Sequence, residues 1–250
     1  VETQQELAYP IVRDMDTFCY ERQSAGSMEV GSYAHRPILH RVDEIPSNNE
    51  AALSPTEMPF TADDFDQQME EAIELMEFLG DGEIKYAING LLSLTPDANP
   101  VLGPTVEVDN LWSAAAVWVK EGPGVGRLVA EWMTHGYPHL TDPHGADIAR
   151  FYPQQRNVHH IEARAEEHFN KTYGIVHPRE QWATRRDITT GPVKARTDVL
   201  EAFYFEAGGW ERPHWYESNN DLVVTYEVPE RDHEWDARWW TPISDAEHLH

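Results

Sequence analysis

The sequence is poor in cysteine and in long apolar runs. Cys19 is the one cysteine among 250 residues, and no apolar run approaches 18 residues. A single thiol excludes an internal disulfide and indicates a reducing compartment. The short apolar runs exclude a transmembrane helix. Hydrophobic residues make up 40% and charged residues 25% of the chain, which predicts a soluble globular protein with one large domain or two small ones.

Lysine is also scarce, and the charge of the chain is strongly one-sided. There are 44 acidic residues against 19 basic ones, of which four are lysines, and the formal net charge is −25. A negative field of this size disfavours nucleic acid and anionic membranes, so we expect neither as a partner. An acid-rich, lysine-poor surface suits concentrated salt. We therefore hypothesise a salt-accumulating host, an idea that would fail if stability did not rise in molar KCl.

Several chemical signatures are absent. The sequence has no Cys-x-x-Cys, His-Glu-x-x-His, Gly-x-Ser-x-Gly or Gly-x-Gly-x-x-Gly motif. Gly136 and Pro138 interrupt any helix that could align His135 with His139, and adjacent His159 and His160 must point to different faces. We therefore predict no metal site. No argument brings a histidine to Cys19, so nucleophilic catalysis is not expected either.

Hydrophobic patterning predicts mixed α and β structure. A β-hairpin is expected from runs 17–22 and 28–34, followed by a loop over 44–60. A helix is expected over 62–79, with a capping pair Thr61 and Asp64, a closing Gly80 and a solvated acidic face. The remaining predictions are strands over 83–88 and 91–95, a buried strand over 111–119, a connection over 137–156, and helices over 127–135, 157–173 and near 197–207.

One segment combines a predicted strand, a glycine-rich turn and a helix. Gly122, Gly124 and Gly126 precede the helix that begins near Arg127. Glycines let a backbone approach a ligand closely, and a helix start carries unpaired N–H groups and partial positive charge. Such a device suits an anion or a carbonyl that becomes anionic, such as the N1–C2=O edge of a reduced flavin. On spacing alone, the pattern favours a tight turn in which the glycines merely permit the bend, and the ligand-binding device is the alternative.

An aromatic segment lies near the end of the chain. Residues 207–216 read Ala-Gly-Gly-Trp-Glu-Arg-Pro-His-Trp-Tyr. The segment favours a hydrophobic corner in which Trp210 and Trp215 fill a seam between domains, although a binding role is the alternative. The chain starts at Val1 without the features of a signal peptide and stops at His250 in a polar stretch. We expect it to be part of a longer polypeptide.

Several blocks together resemble the multidomain flavoenzymes that include dimethylglycine oxidase, dimethylglycine dehydrogenase and sarcosine dehydrogenase. They occur in the family's order across nearly the whole chain: Gly-Ser-Tyr-Ala-His-Arg-Pro at 31–37, Asn-Gly at 89–90, Thr-Pro-Asp at 95–97, Pro-Val-Leu-Gly at 100–103, the glycines of 122–126 with Glu-Trp-Met-Thr-His-Gly at 131–136, Asp-Ile-Ala-Arg-Phe at 147–151, and Gly-Gly-Trp-Glu-Arg-Pro-His-Trp at 208–215.

The resemblance implies an α+β (mixed α/β) fold and a domain order. Residues 1–145 would be the later part of an amino-acid-oxidase-like FAD domain. Residues 146–205 would be a small central domain, and 206–250 would begin a folate-binding domain related to the aminomethyltransferases. The nucleotide-binding fingerprint and most of the folate site would lie outside the sequence.

The resemblance also implies functional residues. Tyr33 would be catalytic and, with His35, would bind substrate. The backbone of Gly122, Gly124, Val125 and Gly126 would meet the isoalloxazine edge. The loop beneath the ring would contain Asn89, Gly90, Thr95 and Pro96.

The implied activity is FAD-dependent oxidative N-demethylation of a small N-methylated amino acid of the dimethylglycine or sarcosine type. Hydride would pass to flavin N5, and the one-carbon unit would go to tetrahydrofolate or to formaldehyde. The electron acceptor would be oxygen or a protein, and the remainder of the polypeptide would complete the site. The implied location is the cytoplasm, or the mitochondrial matrix in a eukaryote.

Two alternatives differ in class. A relative that has lost catalysis would act as a regulatory or scaffolding subunit, and a purified full chain would then be colourless rather than yellow and bleached by substrate. The second alternative is a folate-dependent methyl transferase in which the flavin half has no catalytic role. It would require the protein to respond when it is titrated with folate.

Overall fold

The computed structural model describes residues 9–250, which form two compact units. The first contains the chain up to Leu94 together with Phe169–Gly174, and the second contains Thr95–His168 and Ile175–His250. Strands and helices are both present, which confirms the mixed α and β prediction. The strands are β1 Val12–Asp14, β2 Cys19–Ser24, β3 Ser27–Ser32, β4 Glu57–Met58, β5 Asn89–Gly90, β6 Val101–Pro104, β7 Trp112–Ala115, β8 Ala202–Ala207 and β9 Trp210–Tyr216. The helices are α1 Asp66–Leu75, α2 Gly122–His135, α3 Val158–Thr172, α4 Lys194–Val199, α5 Asp221–Thr225 and α6 Pro242–Leu249.

The first unit is built on an antiparallel sheet in the order β1-β2-β3, against which α1 packs. The β2–β3 hairpin confirms the sequence prediction, and Ala25 in its turn takes a positive φ of 51°. On α1, Ala72 and Gln68 are buried, and the Cys19 thiol of β2 lies 3.6 Å from the Gln68 carbonyl oxygen. The opposite face is exposed at Asp66, Gln67, Glu70 and Glu74, as its composition predicts.

The ends of α1 differ from the predicted ones. The Thr61 side chain makes no capping bond, and the Asp64 carboxylate instead accepts two hydrogen bonds from Arg36, at 2.8 and 3.1 Å. The helix stops at Leu75, and a 3₁₀ turn over Glu77–Asp81 contains Gly80. Gly80 has no positive φ, so the predicted left-handed closure is wrong.

The strands predicted over 83–88 and 91–95 are also wrong. In this region only Asn89–Gly90 joins a ladder, by pairing with Glu57–Met58. A strand needs a hydrogen-bonded neighbour as well as β-prone residues. Among the described residues no neighbouring strand pairs with 83–88, and Ile84 and Tyr86 are exposed.

The second unit begins with the β6–β7 hairpin and α2. Leu102 of β6 is buried and its N–H donates to the Ala146 carbonyl oxygen at 2.8 Å. The buried strand predicted over 111–119 is shorter and less buried, because the ladder ends at Ala115 and Val119 is 97% exposed. At its other end α2 closes with Gly136 at a φ of 81°, as the glycine position predicts.

The predicted helix over 157–173 is confirmed by α3, but its buried face is unexpectedly polar. His160 and Arg164 are among its buried residues, together with Ala165. Arg164 forms an ion pair with Glu206, and its guanidinium carbon lies 4.8 Å from the Trp182 ring centroid. The buried face of α3 therefore includes a charged side chain that is paired rather than only hydrocarbon.

The chain after α4 forms a hairpin rather than the helix predicted near 197–207. Helix α4 ends at Val199, and β8 pairs with β9 across a turn at Gly208 and Gly209, whose φ angles are 58° and 78°. Two adjacent positive φ angles suit a two-residue hairpin turn. Phe203 stacks on Trp215 at 3.9 Å between ring centroids, so the aromatic segment forms a packed corner within the second unit.

Candidate functional site

Gly122, Gly124 and Gly126 all lie at the start of α2, because the helix begins at Gly122 rather than near Arg127. None of the three takes a positive φ. A Cβ placed on any of them would meet no other atom within 4 Å. The first turns of α2 therefore present uncovered helical backbone, with open space where side chains would otherwise stand.

The start of α2 is positively polarised, and part of its hydrogen-bonding capacity is already used. The Gly122 N–H donates to the Trp118 carbonyl oxygen at 3.1 Å, and the Val125 N–H donates to the Glu121 carbonyl oxygen at 2.9 Å. The Glu121 carboxylate accepts from the Trp118 N–H and pairs with Lys120 at 3.1 Å. What remains for a ligand is the helix dipole and close approach to the backbone.

Thr95 and Pro96 are buried in a loop that is held by hydrogen bonds from side chains. The Thr95 hydroxyl donates to the Asn99 carbonyl oxygen at 2.8 Å. Asp97 accepts two hydrogen bonds from Arg150, at 2.7 and 2.9 Å, and Arg150 also donates to the Asn99 carbonyl oxygen. Sequence reasoning did not assign this role to Arg150, although the block 147–151 is among those that carry the resemblance. The Thr95 side chain is thus engaged in holding its own loop.

Asn89 and Gly90 form the short strand β5. The Asn89 amide donates to the Thr61 hydroxyl at 2.9 Å and to the Pro59 carbonyl oxygen at 3.2 Å. Gly90 is paired with Glu57. The Asn89 side chain thus fixes the segment that leads into α1, and Gly90, like the glycines of α2, has nothing within 4 Å of its missing Cβ.

Tyr33 lies at the end of the sheet within a cluster of three tyrosines. Its ring stacks on Tyr173, with 3.5 Å between centroids and 3° between planes, and lies 5.7 Å from Tyr20. Burial raises the pKa of Tyr20 to about 12, and burial with hydrogen bonding to Tyr33 raises the pKa of Tyr173. Tyr20 and Tyr173 therefore stay protonated near neutral pH. Sequence reasoning found neither, because they are distant from Tyr33 along the chain.

His35 is next to this tyrosine cluster and is held on two sides. Its Nδ1 lies 2.8 Å from the Arg36 carbonyl oxygen, and its ring lies 5.0 Å from the Phe169 ring. Tyr33 and His35 thus share one neighbouring segment, Phe169–Gly174 of the first unit. Asn89 and Gly90 are held instead by residues 57–61.

Cys19 and the adjacent pair His159 and His160 are the remaining titratable candidates. Cys19 is buried, and burial raises the pKa of its thiol, which opposes thiolate formation. His160 is buried whereas His159 is exposed, so the two face different surroundings, as expected. Across residues 9–250 no three metal-binding side chains of the His, Cys, Asp or Glu type come together. No helix in that part of the chain has the length and apolar character needed to cross a membrane.

Two protein-family models match most of the chain. The model of the family "FAD dependent oxidoreductase" matches residues 2–132, and that of the "FAD dependent oxidoreductase central domain" matches residues 135–190. The chain belongs to the FAD-dependent oxidoreductase family. The first match contains Tyr33 and the α2 glycines, and the second contains Tyr173. The resemblance found from the sequence motifs is thereby confirmed.

Three curated relatives of the FAD-dependent oxidoreductase chain are named as enzymes that act on N-methylated amino acids. The chain is 32% identical over 210 residues to 4-methylaminobutanoate oxidase (formaldehyde-forming) of Paenarthrobacter nicotinovorans, covering 83% of this chain and 25% of that protein. It is 29% identical to human mitochondrial sarcosine dehydrogenase, covering 86% and 23%, and 27% identical to human mitochondrial dimethylglycine dehydrogenase, covering 83% and 24%. The chain therefore spans about a quarter of the length of these relatives.

Proposed function

We propose that the chain is the flavin-facing and substrate-facing part of an FAD-dependent enzyme that oxidises a small N-methylated amino acid. The observation that carries the proposal is the match of residues 2–132 to the oxidoreductase family, with an uncovered glycine backbone at the start of α2 inside that match. The names of the three relatives support an N-methyl amino acid as the substrate class.

The start of α2 is proposed to hold the electron-rich edge of the flavin. The missing side chains at Gly122, Gly124 and Gly126 leave room for a flat ring against the backbone. The positive end of the helix dipole would favour negative charge there. When bound, FAD supplies a two-electron acceptor. Thr95 and Pro96, held by Arg150, and Asn89 with Gly90, held by Thr61, are proposed to shape the loop below the ring.

Tyr33 and His35 are proposed to bind the amino acid. A phenol hydroxyl can donate a hydrogen bond to a substrate carboxylate. The Arg13 guanidinium, 5.5 Å from the Tyr173 ring centroid, adds positive charge to the same cluster. A nearby cation favours a carboxylate and disfavours a protonated amine, and a neutral amine is the form that can lose hydride from its N-methyl group.

The one-carbon product is proposed to pass to tetrahydrofolate or to be released as formaldehyde. The folate site would lie mostly outside these 250 residues, and residues 206–250 would begin its domain. The electron acceptor is proposed to be oxygen or a protein. The proposed location is the cytoplasm, or the mitochondrial matrix if the host is eukaryotic. Residues 1–145, 146–205 and 206–250 remain the proposed domain limits.

Anaerobic titration of the purified full-length protein tests the proposal. Sarcosine, dimethylglycine or 4-methylaminobutanoate should bleach a yellow protein, whereas glycine, which has no N-methyl group, should not. Readmission of air separates an oxidase, which recolours with hydrogen peroxide, from a dehydrogenase, which needs an added acceptor. A colourless protein, or a yellow one that none of the three amines bleaches, would instead support the regulatory or scaffolding alternative.

A further inference from the structure

The end of helix α3 contacts both residues proposed to bind substrate. Phe169 lies in the last turn of α3, and Tyr173 is the first residue after the helix, which ends at Thr172. Phe169 is against His35, with ring centroids 5.0 Å apart, and Tyr173 stacks on Tyr33 at 3.5 Å. All of these residues belong to the first unit. The last turn of α3 and the residue that follows it therefore contact both Tyr33 and His35.

The Tyr33–Tyr173 stack is an unusual arrangement that needs support from its surroundings. Planes 3° apart with centroids 3.5 Å apart place one ring directly over the other. Aromatic pairs prefer offset or edge-to-face contacts, because two facing π-clouds repel. Here Arg13 lies over the Tyr173 ring, 5.5 Å from its centroid, and draws electron density away from the facing clouds. Phe169, buried one turn earlier, anchors the helix end.

The remaining contacts of Tyr33 are consistent with a fixed ring. Tyr20 lies 5.7 Å away with its ring tilted by 32°, and the Tyr33 backbone N–H bonds the Phe18 carbonyl oxygen at 3.4 Å. The stack thus determines the tilt of the Tyr33 ring and with it the position of its hydroxyl.

We propose that Tyr173 is a positioning residue for substrate binding, which acts by holding the Tyr33 ring through face-to-face stacking. This inference rests on the proposed function. It adds a residue from the segment that matches the central domain to a substrate site assigned to the oxidoreductase segment. The feature that the proposal requires is the flat ring at position 173.

Stopped-flow flavin reduction in the full-length protein tests the proposal. The amine that bleaches the wild type fastest is used to measure an apparent Kd and a limiting rate. Tyr173→Leu removes the ring and should raise the apparent Kd or slow reduction by about tenfold or more, since a displacement near 1 Å can cost about a hundredfold. Tyr173→Phe keeps the ring but removes the hydrogen bond between the Tyr173 hydroxyl and Tyr33. It should lose clearly less than Tyr173→Leu, because the stacking contact remains. Tyr137→Leu, the same change at an exposed tyrosine, is the matched control.

The double variant identifies the route of the effect. If Tyr173 acts through Tyr33, adding Tyr173→Leu to Tyr33→Phe should cause little further loss, because the hydroxyl to be positioned is already gone. Flavin content and circular dichroism are measured for every variant. If Tyr173→Leu loses its flavin, Tyr173→His takes its place, since it keeps a smaller flat ring, and should fall between the other two.

Each outcome is decisive. Wild-type kinetics in Tyr173→Leu, or full additivity with Tyr33→Phe, would overturn the positioning role while leaving the proposed function intact. A flavin-containing wild type that no N-methyl amine reduces would overturn the proposed function, and the positioning role with it. Loss in Tyr173→Leu, rescue in Tyr173→Phe and non-additivity together would establish the role.

Discussion

Gly31 on β3 lies across from Tyr20 on β2, and the Tyr20 ring covers the space that a side chain at position 31 would need. A Cβ placed on Gly31 would be 2.1 Å from Cζ of Tyr20 and 2.3 Å from its hydroxyl oxygen. Ordinary van der Waals contact begins at 3.4 Å. The Tyr20 ring must therefore move in Gly31→Ala, and it must also change its contact with Tyr33.

The expected cost follows from three contributions. Forcing an extra methyl group into a packed site costs about 1–3 kcal/mol. Disturbing the contact between Tyr20 and Tyr33 costs up to about 1.5 kcal/mol more. Alanine is favoured over glycine within a strand by about 0.5–1 kcal/mol. Gly31→Ala should therefore destabilise the β2–β3 hairpin by about 1–3 kcal/mol. In a Tyr20→Ala background the clash is absent, and the same change should stabilise by about 0.5–1 kcal/mol.

Amide hydrogen exchange of β2 and β3 in the full-length protein measures this effect. It reports the local opening free energy, whereas a single free energy of unfolding is poorly defined for a multidomain chain. Gly90→Ala is the matched control, because it also lies in a strand but has nothing within 4 Å of its missing Cβ. The steric argument requires a coupling free energy of at least about 1.5 kcal/mol between Gly31→Ala and Tyr20→Ala. If Gly31→Ala changed the opening free energy equally in the wild-type and Tyr20→Ala backgrounds, the reasoning would be refuted.

Three further predictions concern other parts of the chain. Gly124→Leu should lower flavin content while stabilising helix α2 by up to about 1 kcal/mol. Flavin absorbance and amide exchange of α2 measure the two effects, with Gly145→Leu as the control variant. Full flavin occupancy in Gly124→Leu would count against a flavin ring at the start of α2. Arg150→Lys should lose the bidentate hydrogen bond to Asp97 and destabilise the loop over residues 95–99 by about 1–3 kcal/mol. Hydrogen exchange of the amides in that loop measures the loss. Burial, followed by nearby arginines, lowers the pKa of His160, so its neutral form is favoured in the fold. The local stability of α3 should be full above pH 6.5 and fall as pH drops below it. His160→Gln should flatten that limb when amide exchange of α3 is measured against pH.

Elements with strong local signals could be predicted from the sequence. The β2–β3 hairpin is marked by two β-prone runs, and α2 is closed by Gly136 at a φ of 81°. Helix α3 has apolar residues at helical spacing and is present nearly to its predicted ends. In each of these, the residues that determine the conformation are close in sequence, so the pattern alone is sufficient.

Elements that depend on distant partners were predicted poorly. Residues 83–88 have β-prone side chains, but the strand assignment failed because no ladder partner occurs among the described residues. The helix expected near 197–207 ends early because Glu201 takes a φ of 57°, which a helix cannot continue through. The chain then pairs with β9, where Phe203 stacks on Trp215. Both outcomes are set by contacts that hydrophobic periodicity does not contain.

The motif residues of the candidate site divide into two kinds. The side chains of Asn89 and Thr95 are engaged in hydrogen bonds that hold their own segments. The glycines of α2 have no side chain and face open space. Substituting Asn89 or Thr95 should therefore lower flavin content and local stability together, because it loosens the segment that shapes the loop. At Gly124 the two effects should separate, because there the backbone itself is proposed to face the flavin. A motif thus identifies the neighbourhood of a site, and only the hydrogen bonds of each side chain show which residues are free to touch a ligand.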